Sequence, residues 1–196
     1  MIEVFYHGSS VLFDRFSLDK ALSGDGKIKF GYGIYVTQKF KTAAHYAGEG
    51  NNEGKSHYVY TVEVPKMQKD NHIWSNKPVV AEIIKRAEDK LKTNIPTEVC
   101  ERGKFFRKYI GNIIAGKKGS VKQLSGKIDI EAEKKASAFL SSIGVDFYVW
   151  PYNQRNPEGE QNRAILDDKK VKIIKVEQVQ LDAKHQLIPD SVKQIK

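Results

Sequence analysis

Short β-favouring segments stand at both ends of this chain, and a long stretch of helical periodicity separates them. Residues 3–7 (EVFYH), 33–37 (GIYVT) and 57–65 (HYVYTVEVP) are rich in β-branched and aromatic side chains, and Pro65 ends the third. Beyond the middle come 147–150 (FYVW), 163–166 (RAIL) and 171–176 (VKIIKV). Residues 42–48 predict one helix among the early strands. In the middle, Val79, Val80, Ile83, Ile84, Ala87 and Leu91 recur at helical spacing, as do Phe105, Phe106, Tyr109, Ile110, Ile113 and Ile114. Glycines near 116–119 and the Ser125-Gly126 pair punctuate the stretch, and a third helix is predicted over 130–142, stopping near Gly144. The fold class is therefore α+β, with no internal repeat. Residues 152–161 (YNQRNPEGEQ) read as a polar loop before a strand, and the tail after Leu181 as loosely held.

The 196 residues suit one domain, or one domain with a sizeable insertion. Hydrophobic residues at 40% and charged residues at 29% exclude a disordered chain. No apolar run approaches the ~18 residues of a membrane span. The first six residues are too short and too acidic for a secretory signal. Cys100 is the only cysteine, which excludes an intrachain disulfide and a thiolate zinc cluster. A reducing, cytoplasmic setting is the expectation.

Charge is unevenly placed. The chain carries a net +9, and 77–127, with 13 basic and 5 acidic residues, accounts for +8 of it. Such a stretch draws polyanions, and Lys85, Arg86, Lys104, Arg107 and Lys108 are the candidate nucleic-acid contacts. A solvated lysine-rich face is the competing reading. His45, His57, His72 and His185 show no metal-ligand spacing, so no metal is expected. Trp74 and Trp150 read as packing anchors. Gly24-Asp25-Gly26-Lys27 lacks the remainder of a phosphate-binding loop and reads as a turn. No nucleophile elbow or cysteine–histidine pair points to a hydrolase.

Three short motifs carry chemistry by their order. Tyr6-His7-Gly8-Ser9 ends the first strand; Gly31-Tyr32-Gly33-Ile34-Tyr35 leads into the second; Tyr46 follows Tyr35 by eleven residues. This series resembles the NAD-binding half of the diphtheria-toxin-type ADP-ribosyltransferases, which include the poly(ADP-ribose) polymerases and many bacterial and phage toxins. The resemblance covers residues 3–65 and 139–179, where Gln161-Asn162-Arg163-Ala164-Ile165-Leu166 is similar to the family's last motif. Residues 66–138 match nothing in it.

The resemblance implies a split α+β fold, two small sheets enclosing an NAD cleft with the basic helices as an insertion over 66–138. It implies a mono-ADP-ribosyltransferase acting on a macromolecular acceptor, with RNA or single-stranded DNA slightly favoured over protein by the basic stretch. The setting it implies is a toxin, effector or phage-defence protein, with an antitoxin or inhibitor as a further partner and no membrane. NAD+ is the co-substrate. Tyr35 and Tyr46 would sandwich the nicotinamide ring, Gly8 would offer its backbone to the carboxamide, His7 a ribose hydroxyl partner, and Ser9 the distal ribose; Gly33 and Ala43 would line the same site. These roles suit the chemistry, since breaking the nicotinamide–ribose bond needs a flat ring held, a carboxamide anchored and ribose hydroxyls oriented.

The last motif departs from the family. Where its best-known members carry glutamate, this chain has Asn162, which keeps hydrogen bonding but lacks the charge. Glu160, two residues earlier in extended chain, falls on the same side and is the candidate carboxylate. The departure disfavours chain elongation. It leaves an inactive relative acting as a binding module as the alternative. An RNA 2′-phosphotransferase is disfavoured by the chain's six arginines.

Overall fold

A computed structural model describes residues 1–21, 28–49, 56–117 and 128–196. The turn expected at 24–27 and the end of the basic stretch at 118–127, with its Ser125-Gly126 break, lie outside them.

Among the described residues eight strands form one sheet: β1 (Ile2–Ser9), β2 (Ile34–Thr37), β3 (His57–Pro65), β4 (His72–Trp74), β5 (Phe147–Pro151), β6 (Gln161–Ile165), β7 (Lys172–Val179) and β8 (Lys193–Gln194). Their spatial order is β4-β5-β6-β2-β1-β3-β7-β8. Every neighbouring pair is antiparallel except β4 with β5. Among the described residues five α-helices accompany them: α1 (Phe40–Gly48), α2 (Ala81–Leu91), α3 (Thr97–Cys100), α4 (Gly103–Ile114) and α5 (Ile130–Ser142). The α+β class is as expected. Two separate sheets are not found; the halves are hydrogen-bonded into one. The seam is narrow, though, for β1 and β2 share a single registered pair, Tyr6 with Thr37, while β1 and β3 pair along their whole length.

Alternation along the strands divides the core in two. Phe5, Ile34, Val36, Tyr60, Val62, Val149 and Ile165 fill one face with Phe13 and Phe16 from the segment after β1. On the other face, Tyr148, Trp150 and Ala164 meet the apolar stripes of α2, α4 and α5. There too α1 lies on β1 and β3 through Ala43, Ala44 and Val59. Small residues permit the close approach: a β-carbon at Gly8 would come within 1.8 Å of the Ala43 carbonyl oxygen.

The helical middle is therefore no appendage. It contributes β4 to the sheet edge and packs Ile83, Ala87, Phe106 and Ile110 into one core layer, and α5 begins where Asp129 accepts the Ala132 amide. The strand at 72–74 escapes a reading by pattern because three residues give too short a period. The tail is held more firmly than expected: β8 pairs with β7, and Leu181 bridges to Leu187. Among the described residues no helix is long and apolar enough to cross a membrane.

Candidate active site

The site forms at the seam between the sheet halves. The pairing of β1 with β2 stops at Tyr6–Thr37, and beyond it the imidazole of His7 takes over: its Nδ1 donates to the Tyr35 carbonyl oxygen at 2.7 Å. That bond fixes the proton on Nδ1 and leaves Nε2 an acceptor. The ring packs edge-on to Phe16 at 5.0 Å, near Phe13 and Tyr60. Burial there lowers its pKa below the ordinary 6.5, against the raising effect of the Tyr35 bond. His7 is thus a neutral imidazole at pH 7.

Tyr35 is half-buried. Its ring tilts against Trp150 at 5.0 Å, and its hydroxyl accepts from the Phe30 amide at 3.0 Å and donates to the Gly31 carbonyl at 2.9 Å. Desolvation drives the phenol pKa far up, so it stays protonated. Tyr35 offers ring surface and no free hydroxyl.

Two residues along β2 on the same face, Thr37 is the register partner of Asn162. Asn162 is 3% exposed and lies inside β6 rather than before it, paired also with Trp150. Its side-chain amide bonds the hydroxyl of Tyr46, while its Oδ1 is buried with no partner. Tyr46 reaches over from α1, 39% exposed, edge-on to Tyr152 at 6.4 Å. Its pKa is pushed up to about 12, chiefly by burial and then by Tyr152, Glu49 and Glu160. Glu160, its side chain only 6% exposed, accepts from the Thr37 hydroxyl at 2.8 Å and lies 3.4 Å from the Lys39 ammonium. The hairpin before it is closed by the Tyr152 amide on the Glu160 carbonyl at 2.8 Å.

The fold thus brings Tyr35, Tyr46, Asn162 and Glu160 to one face of the sheet at the seam; the His7 ring lies on the opposite face with Phe13, Phe16 and Tyr60 and joins them through its bond to the Tyr35 carbonyl. Thr37 and Lys39 join them and were not anticipated. The period-2 rule from Tyr35 carries a signal for Thr37, since it puts that residue on the same face; Lys39 carries none.

Other candidates stand elsewhere or serve packing. Ala43 is fully buried against the sheet, so its side chain cannot line a ligand site. A β-carbon at Gly33 would lie 2.8 Å from the Ile165 carbonyl oxygen, so that glycine is needed for the approach of β2 to β6. The Ser9 hydroxyl closes a turn by accepting from the Val11 amide at 3.0 Å. Gly8 keeps its place at the end of β1 beneath α1.

The basic set divides. Lys85 and Lys104 are exposed, Lys108 and Arg86 less so, and Arg86 holds Asp70 at 3.2 Å. Arg107 must be withdrawn as a nucleic-acid contact. It is 1% exposed, its Nε 2.7 Å from Glu133, because α4 turns this position inward against α5. Phe106 and Tyr109 beside it are core residues as well. An open depression of about 490 Å³ at the far end of the sheet, lined by Met1, Lys66, Asn71 and Lys170 among others, contains none of the site residues.

Among the described residues no group of three or more histidine, cysteine or acidic side chains is placed to hold a metal ion. No family model, curated protein or solved structure matches this chain.

Proposed function

We propose that this chain is a mono-ADP-ribosyltransferase that cleaves NAD+ and passes ADP-ribose to a macromolecular acceptor. The observation that carries the reading is the buried, unpartnered Oδ1 of Asn162, whose side chain also meets the Tyr46 hydroxyl. An unpaired buried acceptor costs about 1–3 kcal/mol, and a ribose hydroxyl would satisfy it once the Tyr46 ring swings aside to lie on nicotinamide. The gathering of Tyr35, Tyr46 and Glu160 on one face of the seam, with His7 bonded from the other face to the Tyr35 carbonyl, supports the reading.

In this account Tyr35 and Tyr46 hold the nicotinamide ring, and the Nε2 of neutral His7 accepts from a ribose hydroxyl. The bond from ribose C1′ to the pyridinium nitrogen breaks. Its electron pair goes to that nitrogen, and neutral nicotinamide leaves. The oxocarbenium-like ribose is stabilised by the Glu160 carboxylate. A nucleophile of the acceptor bonds C1′, and Glu160 takes its proton. NAD+ is a substrate here, and no metal enters the scheme.

One observation favours a second reading, a non-catalytic binding module. Glu160 is already engaged by Thr37 and Lys39, and Asn162 carries no charge. Incubation with NAD labelled in its adenylate half and a whole-cell lysate, followed by nuclease or protease, separates the two. Label moving onto nucleic acid or protein supports the transferase; label remaining in NAD favours the module.

A further inference from the structure

The helices between β4 and β5 reach the site through one short segment. Three successive carbonyls, those of Phe30, Gly31 and Tyr32, each accept from a side chain of a different element. The Phe30 carbonyl takes Arg107 at 2.7 Å, from α4. The Gly31 carbonyl takes the Tyr35 hydroxyl at 2.9 Å, from β2. The Tyr32 carbonyl takes the Ser137 hydroxyl at 2.7 Å, from α5. The Phe30 amide donates back to the Tyr35 hydroxyl at 3.0 Å. The hydroxyl of Tyr35 is therefore clamped by residues 30 and 31, whose own position is set by Arg107.

Arg107 is in turn fixed by Glu133, with Nε 2.7 Å and a terminal nitrogen 3.2 Å from the two carboxylate oxygens. The segment has little freedom otherwise. Gly31 sits at φ +114°, where a β-carbon would meet the Tyr148 ring at 2.5 Å. The Phe30 ring stacks on Trp150 at 4.3 Å and 3°, and Tyr35 leans on the same indole. A fully buried ion pair is a weak source of net stability, because the desolvation of both charges offsets their attraction. Its geometric effect here is definite: it points one guanidinium nitrogen at a backbone carbonyl that an apolar pair would leave unbonded.

We propose that Arg107 and Glu133 are a positioning pair for Tyr35, fixing through residues 30–32 the ring on which the nicotinamide is stacked. The proposal rests on the transferase reading for its catalytic consequence. Its structural half stands independently, as an effect on Tyr35 that is observable without NAD.

The test uses the full chain with 3-fluorotyrosine incorporated, the Tyr35 fluorine resonance being identified by its loss in Tyr35→Phe. Two variants are compared with wild type: the volume-matched double variant Arg107→Met with Glu133→Leu, and Arg107→Lys, which keeps the charge but cannot hold both partners. Ile110→Val, in the core of α4, is the control for general loosening. The expected result is a double variant that melts near wild type, with the Tyr35 resonance shifted and broadened. Nicotinamide release should show kcat reduced at least tenfold, as misplacement of a positioning group implies, and KM for NAD changed less. Arg107→Lys should move the resonance in the same sense, and it decides the matter should the double variant fail to fold. A Tyr35 resonance unmoved in the folded variants, or moved equally by Ile110→Val, overturns the proposal. Should wild type release no nicotinamide, the transferase reading fails, and the resonance alone decides the positioning role.

Discussion

His7 Nδ1 donates to the backbone carbonyl of Tyr35 at 2.7 Å, at the point where β1 and β2 cease to pair. A side chain thus replaces a ladder bond and ties two motifs 28 residues apart. Removing the donor leaves that carbonyl without its partner. His7→Ala should lower the stability of the fold by about 1–3 kcal/mol and abolish nicotinamide release. His7→Asn, which keeps a donor, should restore more of the stability than of the activity. Chemical denaturation and a turnover assay on the two variants check this.

The same histidine has a pH consequence. Burial holds its folded-state pKa below 6.5. Between that depressed value and about 6.5, the unfolded chain binds a proton that the folded chain does not. Stability is therefore full above about pH 6.5 and falls as the pH drops through that window. His57 and His72 are lowered by burial too, so the His7 share is a difference. The melting midpoint of His7→Asn should decline less between pH 7 and pH 5 than that of wild type; equal slopes would assign the dependence to the other two.

Glu160 and Asn162 separate by charge. Glu160→Gln keeps an acceptor for the Thr37 hydroxyl, so the variant should fold like wild type. It should lose transfer by about a hundredfold or more, the scale of a general base. Asn162→Ala should reduce nicotinamide release severely and also free the Tyr46 hydroxyl. The ultraviolet titration of Tyr46 should then shift upward, because the Asn162 side chain lowers its pKa, an effect readable without any substrate by comparison with Tyr46→Phe.

Gly8 tests the packing beneath the site. With the Ala43 carbonyl oxygen 1.8 Å from where a β-carbon would lie, Gly8→Ala must push α1 off β1. Overpacking of this kind costs about 1–3 kcal/mol or more, and a thermal melt should show the loss even without NAD. A variant as stable as wild type would mean that α1 moves freely on the sheet.

Much of this site was legible in the sequence because each part is local. The β3 boundaries at His57–Pro65 follow from alternation and a terminal proline, and the eleven-residue step from Tyr35 to Tyr46 spans one strand and one helix that both stand where expected. Glu160 falls on the Thr37 side as extended geometry requires. What escaped is non-local. That Arg107 meets Glu133 depends on the packing of α4 on α5, and a cation in an amphipathic basic helix reads as surface until that packing is known. The single pair joining the sheet halves is likewise a tertiary fact.

The burial of Arg107 changes what the basic stretch can do. Arg107→Glu should unfold or strongly destabilise the chain, by about 3–5 kcal/mol as for a broken buried pair, with no bearing on acceptor affinity. The exposed pair Lys85→Glu with Lys104→Glu is the informative variant. If nucleic acid is the acceptor, this variant should leave nicotinamide release intact and depress labelling of RNA or single-stranded DNA, and the wild-type labelling should weaken as salt rises. Labelling of protein alone, unaffected by these changes, would return the basic face to solvated surface.

Release of nicotinamide from NAD by the purified chain, followed by chromatography and compared with His7→Ala and Asn162→Ala, tests the account most directly. The prediction is release by wild type, with or without an acceptor present, that His7→Ala abolishes and Asn162→Ala severely reduces while each variant remains folded by circular dichroism. No release by wild type at any NAD concentration, or release undiminished in the two folded variants, would contradict the assignment of NAD chemistry to the seam between β1, β2 and β6.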